Sequence, residues 1–434
     1  MKLALWSPLP PSDSGIADYV AEALPELSAA VDVQTVAAEG PAPEADLDLY
    51  HVGNSPAHAY VYRAALARPG VVVLHDWNLH YLLLGETVER GDAAPYLQDM
   101  RRAYGAAGTL IGRQVSRALG GEMLPAMFPL NERLLESSLG VVALSRRVAA
   151  DAARRLPDRP VLHLPHHVAL PLSPMPTRAE ARRALGLPED ALIVTAPGLA
   201  TATKRLEAAV RVVARLRPTF PRLVLVVAGG VDPKLPLAQW AKEAGVADAV
   251  RITGRVGIDD FIRHLVAADV VLALRFPSFG EMSGALVRAM GVGRPVLVTA
   301  GTPPAEEMPA GTVAAVDPGA YEEAELEALL SRLLRDAGLR ETMGALARAH
   351  VREHHDLERT VAALVAFLRE VLARKPTLLA ALAEDRADPH TLLGYLKEEV
   401  RWGARDLGLA GVHLGLDELL AELAGGPGPH SGGL

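Results

Sequence analysis

Val270-Val271-Leu272-Ala273-Leu274-Arg275-Phe276-Pro277-Ser278-Phe279-Gly280-Glu281-Met282-Ser283-Gly284 is an apolar run that gives way to a Ser/Gly loop holding one carboxylate. The helical pattern Ala285-Leu286-Val287-Arg288-Ala289-Met290 follows it. An uninterrupted apolar run reads as a strand buried on both faces, the mark of a parallel sheet. The loop then aims backbone N–H groups and the positive end of a helix dipole at its contents. An anionic, hydroxyl-rich ligand such as a nucleotide sugar suits that geometry.

The same rhythm extends both ways along the chain. Strand candidates precede it at Leu3 to Trp6, Val31 to Val36, Leu47 to Val52, Val71 to Leu74, Gly140 to Leu144 and Val161 to Leu164, with helical stretches between several of them. The Pro-rich stretch after Leu164, through Pro176, breaks regular structure and reads as a linker. A second series follows at Leu192 to Ala196, Leu223 to Ala228, Val250 to Thr253, Val270 to Leu274, Pro295 to Val298 and Thr312 to Val316. Alternation of this kind predicts an α/β architecture of two doubly wound sheets. The expected domains are 1–170 and 171–375, the second ending in long helices over 322–375 that break near Gly338 and at His354-His355-Asp356. Residues 376–434 are expected to form a helical extension whose Gly/Pro-rich tip is disordered.

Composition narrows the function classes. The 434 residues are half apolar and carry a formal net charge of -8, which argues against a nucleic-acid binder, since that role needs a basic surface. The absence of cysteine excludes disulfides, thiolate zinc sites and a Cys nucleophile. Met1-Lys2 runs straight into a strand pattern, so no signal peptide is expected, and no apolar run reaches the length of a membrane span. A cytoplasmic protein is the expectation. Peripheral contact at the inner membrane face stays open through Arg101, Arg102, Arg113 and Arg117, with a solvated arginine face as the competing reading.

Lysine is scarce, six against thirty-eight arginines. Lys204 closes the loop Gly198-Leu199-Ala200-Thr201-Ala202-Thr203-Lys204-Arg205 after a strand, where a compact point charge suits phosphate. A solvated lysine at a helix start is the alternative. Both this loop and that of Glu281 fall at the carboxyl edge of one sheet.

Gly198 with Lys204 six residues on, Ala268-Asp269 before a strand, Pro277-Ser278 with Glu281, then Ala289-Met290 and Gly293-Arg294-Pro295-Val296 resemble the retaining GT-B glycosyltransferases of family four. The resemblance covers roughly residues 1–370 and is strongest over 192–310. It implies two Rossmann-like domains facing a cleft, and sugar transfer from a nucleoside-diphosphate sugar. It further implies that Lys204, helped by Arg205, neutralises the pyrophosphate at Gly198. Glu281 would bind donor-sugar hydroxyls as the first glutamate of the family's Glu-x7-Glu element, in a Gly-Glu-x-Ser-Gly variant. The amides of Ser283, Gly284 and Ala285 would meet sugar or phosphate.

The chain departs from this pattern at two places. Ala289 stands eight residues after Glu281, and Arg288 precedes the Ala-Met pair, so the usual ribose-binding carboxylate is missing. Leu199 stands where an arginine commonly follows the loop glycine, and Arg275 is the candidate to supply that cation. By the same resemblance Glu307 matches a Gly-x-x-Glu loop near base and ribose, an exposed acidic turn being the alternative. Gly15 marks a flexible loop near the donor phosphates, and His75 a histidine that approaches the donor sugar, with a structural strand-end histidine as its competitor. Asn54, His58 and Asp76 end strands on the acceptor side.

No metal or other cofactor is expected. Asp46-Leu47-Asp48 precedes a strand instead of ending one, and Lys204 with helix termini can stabilise the leaving group. The acceptor stays open among glycan, lipid-linked sugar, small metabolite and protein, as do the oligomeric state, a nucleotide-sugar epimerase or hydrolase of the same build, and a non-catalytic nucleotide binder.

Overall fold

A computed structural model describes residues 1–387, apart from positions 13, 120 and 122. The twelve expected strands all form, and they divide between two parallel six-stranded sheets. The first sheet contains β1 (Lys2–Trp6), β2 (Asp32–Val36), β3 (Leu47–Val52), β4 (Val71–Leu74), β5 (Gly140–Ala143) and β6 (Val161–His163), in the order β2-β1-β3-β4-β5-β6. The second contains β7 (Leu192–Pro197), β8 (Leu223–Ala228), β9 (Val250–Ile252), β10 (Val270–Ala273), β11 (Val296–Thr299) and β12 (Val313–Val316), in the order β12-β11-β10-β7-β8-β9. Central strands such as β3, β4 and β8 are buried along their whole length because helices cover both faces, which is why they read as continuous apolar runs.

Each order reverses direction at one place. In the second sheet this switch lies between β7 and β10, so the loops leaving those two strands flank a crevice at the carboxyl edge. The first sheet switches between β1 and β3. Both loops singled out in the sequence, those of Lys204 and Glu281, therefore border one crevice.

Asp269 shows why an acidic residue precedes β10. Its carboxylate is buried and takes hydrogen bonds from Arg178 Nη1 at 2.8 Å, Arg182 Nη2 at 2.8 Å and Ile193 N at 2.7 Å. Arg182 is itself buried, and Arg178 and Arg182 belong to the helix Arg178–Ala184, so one carboxylate ties that helix to β7 and β10.

The segment from Leu164 to Thr177 carries no helix or strand, and Thr177 opens the next helix through a capping box with Glu180. The long C-terminal helices break as expected near Gly338 and at His355-Asp356, and depart from the expectation at Pro376. The break falls at Asp336, two residues before Gly338, because the Asp336 carboxylate caps the helix Ala337–His354 by accepting from Leu339 N at 2.9 Å. The helix Leu357–Ala387 runs through Pro376 instead of ending there, and Leu378 and Leu382 beyond the proline are buried in the same apolar cluster as Leu3 and Leu27. Packing thus carries the helix past a missing N–H donor. This helix lies across the first sheet: a Cβ placed on Gly140 would come 3.1 Å from Val371 and 3.3 Å from Phe367. The expected extension beyond 387 and its tip lie outside the described residues.

Removing the Asp269 carboxylate leaves the Arg182 guanidinium buried without its counter-charge. Asp269→Ala is expected to lower unfolding stability by about 3–5 kcal/mol, read from denaturant titration.

Candidate active site in the interdomain cleft

Two glycines shape the loop after β7. Gly198 adopts φ +81°, and a Cβ there would lie 3.0 Å from Lys204 Nζ. Gly229, at the end of β8, has φ +156°, and a Cβ there would come 2.5 Å from the Gly198 carbonyl oxygen. Neither position accepts a side chain without displacing backbone or the lysine. Lys204 Nζ donates to the Pro197 carbonyl, so the ammonium is folded back over the strand end. Enclosure by protein, with the Arg275 charge as a second cause, pulls its pKa down to about 7.

The loop after β10 is tied to the first by Phe276 N, which donates to Thr203 O at 2.8 Å. Arg275 N donates to Thr299 Oγ1 at 2.9 Å, and Arg275 Nε lies 2.8 Å from Glu281 Oε1. Glu281 is buried, and its Oε2 accepts from Phe279 N at 2.6 Å and Ser278 Oγ at 3.2 Å. Oε1 has only the ionic contact with Arg275, without an aligned hydrogen bond, which leaves an acceptor for a hydroxyl. Ser283 caps the helix Gly284–Gly291, its Oγ accepting from Leu286 N at 3.3 Å, so this hydroxyl is already engaged. Gly284 and Ala285 fall in the first turn, where backbone N–H groups have no partner within the helix.

The first domain brings His75 and Asp76 to the same cleft. His75 is buried at the end of β4, with Nε2 3.0 Å from His51 Nδ1 and its ring edge-on to Tyr19 at 4.9 Å. Burial, reinforced by His51, His58, His166 and His167, keeps it neutral. Asp76 Oδ2 accepts from Asn54 N at 2.8 Å. Burial first, and the negative charge of Glu281 second, raise its carboxyl to about pH 7 against the opposing effects of Asn54 and Arg275. Gly15 opens the helix Gly15–Ala30 behind the cap Ser14, and a Cβ there would meet no protein atom within 4 Å, which leaves room for a ligand.

The two halves touch. Trp77 N and Asn78 N both donate to the Phe279 carbonyl, at 2.8 and 3.1 Å. Gly280 has φ +81°, and a Cβ there would stand 2.6 Å from Trp77 Cβ, so that seam requires glycine.

Four of the expected residues have partners within the protein. Arg205 forms a bidentate pair with the buried Glu322, which commits its guanidinium to the protein instead of a phosphate. His58 is buried with Nδ1 3.0 Å from His51 O, a support for the strand end instead of an acceptor contact. Asn54 spends its carbonyl on Tyr81 N and Leu82 N, at 2.8 and 3.2 Å, and so builds the acceptor-side wall from behind. Glu307 accepts from Arg147 N at 3.4 Å, stands 3.8 Å from His163 Nε2, and lines a cavity of about 290 Å³ between the domains. It faces the first domain because Arg147 also holds Gly301 O and Glu306. Of the two carboxylates in the motif Asp46-Leu47-Asp48, Asp46 accepts from Lys2 N, and Asp48 is buried between Trp6 Nε1 and Arg68.

A partner that the sequence did not announce, Glu22, completes the seam. Arg288 is buried and pairs with Glu22 on the helix Gly15–Ala30. Gly229-Gly230, at the end of an apolar strand, followed the same pattern as the Gly198 loop and was the available signal for the Gly198 contact.

Comparison with solved structures places this architecture. Sucrose-phosphate synthase from Thermosynechococcus elongatus superposes with a TM-score of 0.59 at 19% identity, covering 86% of this chain and 99% of that one. Anabaena Alr3699/HepE, solved with UDP, gives 0.57 at 15% identity, covering 85% and 100%. The fold is GT-B. Within it, residues 177–350 match the family model of glycosyl transferases group 1. Among curated proteins, a D-inositol 3-phosphate glycosyltransferase of Salinispora arenicola is 32% identical over 45% of this chain and 45% of its own length. That of Geodermatophilus obscurus is 31% identical over 60% and 59%. The chain spans about half the length of the curated relatives it matches.

The Asp76 carboxyl titrates higher in the folded GT-B chain than its ordinary value of 3.8. The native state therefore binds more protons than the unfolded one between about pH 4 and pH 7, and stability falls as pH rises through that window. Asp76→Asn keeps an acceptor for Asn54 N and removes the charge. Its melting temperature should exceed the parent's by a few degrees at pH 8 and by much less at pH 5. An equal difference at both pH values contradicts the assignment.

Proposed function

We propose that the chain is a glycosyltransferase that moves a sugar from a nucleoside-diphosphate sugar to a hydroxyl-bearing acceptor, with retention and without a metal. The observation that carries this reading is the convergence of Lys204, Arg275 and Glu281 at the switch point of the second sheet, with Asp76 of the first domain beside Glu281. The match to glycosyl transferases group 1 over 177–350 and the glycosyltransferase names of the curated relatives support it.

In this reading Lys204 and Arg275 receive the diphosphate. An ammonium with its pKa near 7 regains its proton as the dianion binds, so leaving-group charge is met by a full cation at neutral pH. Glu281 Oε1 accepts from a donor-sugar hydroxyl while Oε2 stays fixed by Phe279 N and Ser278. His75, neutral and oriented by His51, meets the sugar from the first domain. As the bond between the anomeric carbon and the diphosphate oxygen breaks, positive charge grows on the sugar and negative charge on the phosphate. The acceptor oxygen bonds to the anomeric carbon from the leaving-group face and passes its proton to the departing diphosphate. Two cations and the amides of Gly284 and Ala285 do the charge stabilisation that a divalent metal does elsewhere.

A thermal-shift screen of UDP, GDP, ADP, CMP and TDP with their sugars should single out one nucleotide, since ligand binding raises the melting temperature. The UDP complex of HepE makes UDP the first to try, and the names of the curated relatives put an inositol phosphate in the acceptor panel. With the donor fixed, Lys204→Ala and Glu281→Ala should each lower turnover by about 100-fold or more. Near-parental transfer by both variants would sink the assignment. Release of free or isomerised sugar without an acceptor would indicate the epimerase or hydrolase instead.

Peripheral contact with an anionic membrane belongs to the same reading. Leu110, Leu119, Met123 and Met127 are exposed together with Arg113 and Arg117, on the helix Ala94–Val115, the helix Met123–Met127 and the turn between them. The Met123–Met127 helix adjoins the cleft, since Asn78 Nδ2 donates to Pro125 O at 2.7 Å. Arg102 pairs with Glu136, which shifts the basic contact toward Arg113 and Arg117. Sedimentation with phosphatidylglycerol vesicles should exceed that with phosphatidylcholine, and R113E with R117E should weaken it by roughly tenfold or more. Equal binding to both vesicle types overturns this contact.

A further inference from the structure

Arg288 occupies the place where a carboxylate for the ribose was expected, and it faces protein. Its side chain is 7% exposed and is paired with Glu22, whose side chain is 14% exposed. The partners stand 266 positions apart, one on the helix Gly15–Ala30 of the first domain and one on the helix Gly284–Gly291 of the second. Glu22 Oε2 also accepts from Ala169 N of the linker at 3.3 Å. His167 Nε2 is 3.9 Å from Glu22 and bonds instead to Tyr19 O at 3.0 Å, and burial keeps that ring neutral. Arg288 is therefore the cation that answers Glu22.

Both helices carry a ligand loop at their N-terminus. Gly15, with open space in front of it, begins the first, and Ser283 to Ala285 begin the second. Glu22 lies seven residues into its helix, roughly 10 Å from Gly15 along the axis. On the other side Arg288 Nη1 and His166 Nε2 would each stand 2.9 Å from a Cβ on Gly284, so the guanidinium packs directly beneath the first residue of the donor-loop helix. One ion pair thus links the helix bearing Gly15 to the turn bearing Gly284.

We propose that Glu22 and Arg288 are a positioning pair that holds the two halves of the donor site at their closed spacing before donor arrives. The proposal rests on the glycosyl-transfer reading for its kinetic consequence, though not for its structural one. The position given up as a ribose contact supplies preorganisation instead, so that binding energy is not spent on bringing the domains together. Truncating either partner leaves a buried charge unanswered, and the seam opens to hydrate it.

The chain contains no cysteine, so Glu89→Cys and Lys242→Cys, both exposed and one on each domain, allow clean spin labelling. Distances between the labels are measured by pulsed electron resonance on donor-free protein. The parent should give one narrow distribution, and Glu22→Gln and Arg288→Met should each give a broader one shifted to longer distance. The charge-swapped E22R/R288E chain should return toward the parent. Kinetically, the single variants should raise the donor KM about tenfold with kcat changed by less than threefold, whereas loss of a reacting group would depress kcat. Parental distance distributions in both single variants overturn the proposal, as does broadening in the singles that the swap leaves uncorrected. Because the distance measurement needs no turnover, it stands even if the chain transfers no sugar, and absence of transfer with open single variants would count against the reaction assignment alone.

Discussion

Everything in the cleft depends on β7 and β10 being parallel neighbours whose chains leave the sheet in opposite directions. The crevice this creates is a topological necessity, and no side chain has to be spent on making it. The two loops that border it are then fastened by one backbone hydrogen bond, Phe276 N to Thr203 O, which sets Arg275 near Lys204. Asp269 secures the same strands at their other ends, through Ile193 N and two arginines. A buried carboxylate at the bottom of the sheet and a bonded loop pair at the top make the spacing between the cations a property of the scaffold.

The charges in the cleft balance across the domains. Lys204 and Arg275 lie with Glu281 and Asp76, and two of the four are perturbed by their neighbours: the lysine is pulled down by burial and Arg275, the aspartic acid pushed up by burial and Glu281. Such a set is strained without ligand and relaxed by one that brings negative charge to the cations and hydroxyl donors to the carboxylates. A nucleoside-diphosphate sugar supplies both from a single molecule.

Local signals were legible in the sequence, and distant ones were not. The strands could be read because burial on two faces leaves no polar alternation to confuse them, and Lys204 stood out because arginine is the habitual cation of this chain. Glu281 was visible from its place between a buried strand and a helix start. What could not be read were partners separated by 117, 160 and 266 positions: Glu322 for Arg205, Glu307 for Arg147, and Glu22 for Arg288. Glu22 and Glu322 belong to long helices and Glu307 ends a short one, places where a solvated carboxylate gives the same pattern. The resemblance alone assigns Arg205 and Glu307 to ligand, and a motif does not show the counter-ion that the fold supplies. His58 misled in the same way, because a histidine after a strand end has no sequence mark of whether its ring turns outward or beneath the strand.

The departure at Arg288 gains sense from the same accounting of charge. A carboxylate at this position of the donor-loop helix is expected to face ligand; a buried arginine here must face a carboxylate of the protein or be expelled into water. Burial to 6% excludes water, and Glu22 provides the carboxylate from the opposite domain. The negative charge has in effect moved from one side of the cleft to the other, and with it the interaction has changed from protein with ligand to domain with domain. The residue expected to meet a ribose carries a contact between the domains instead.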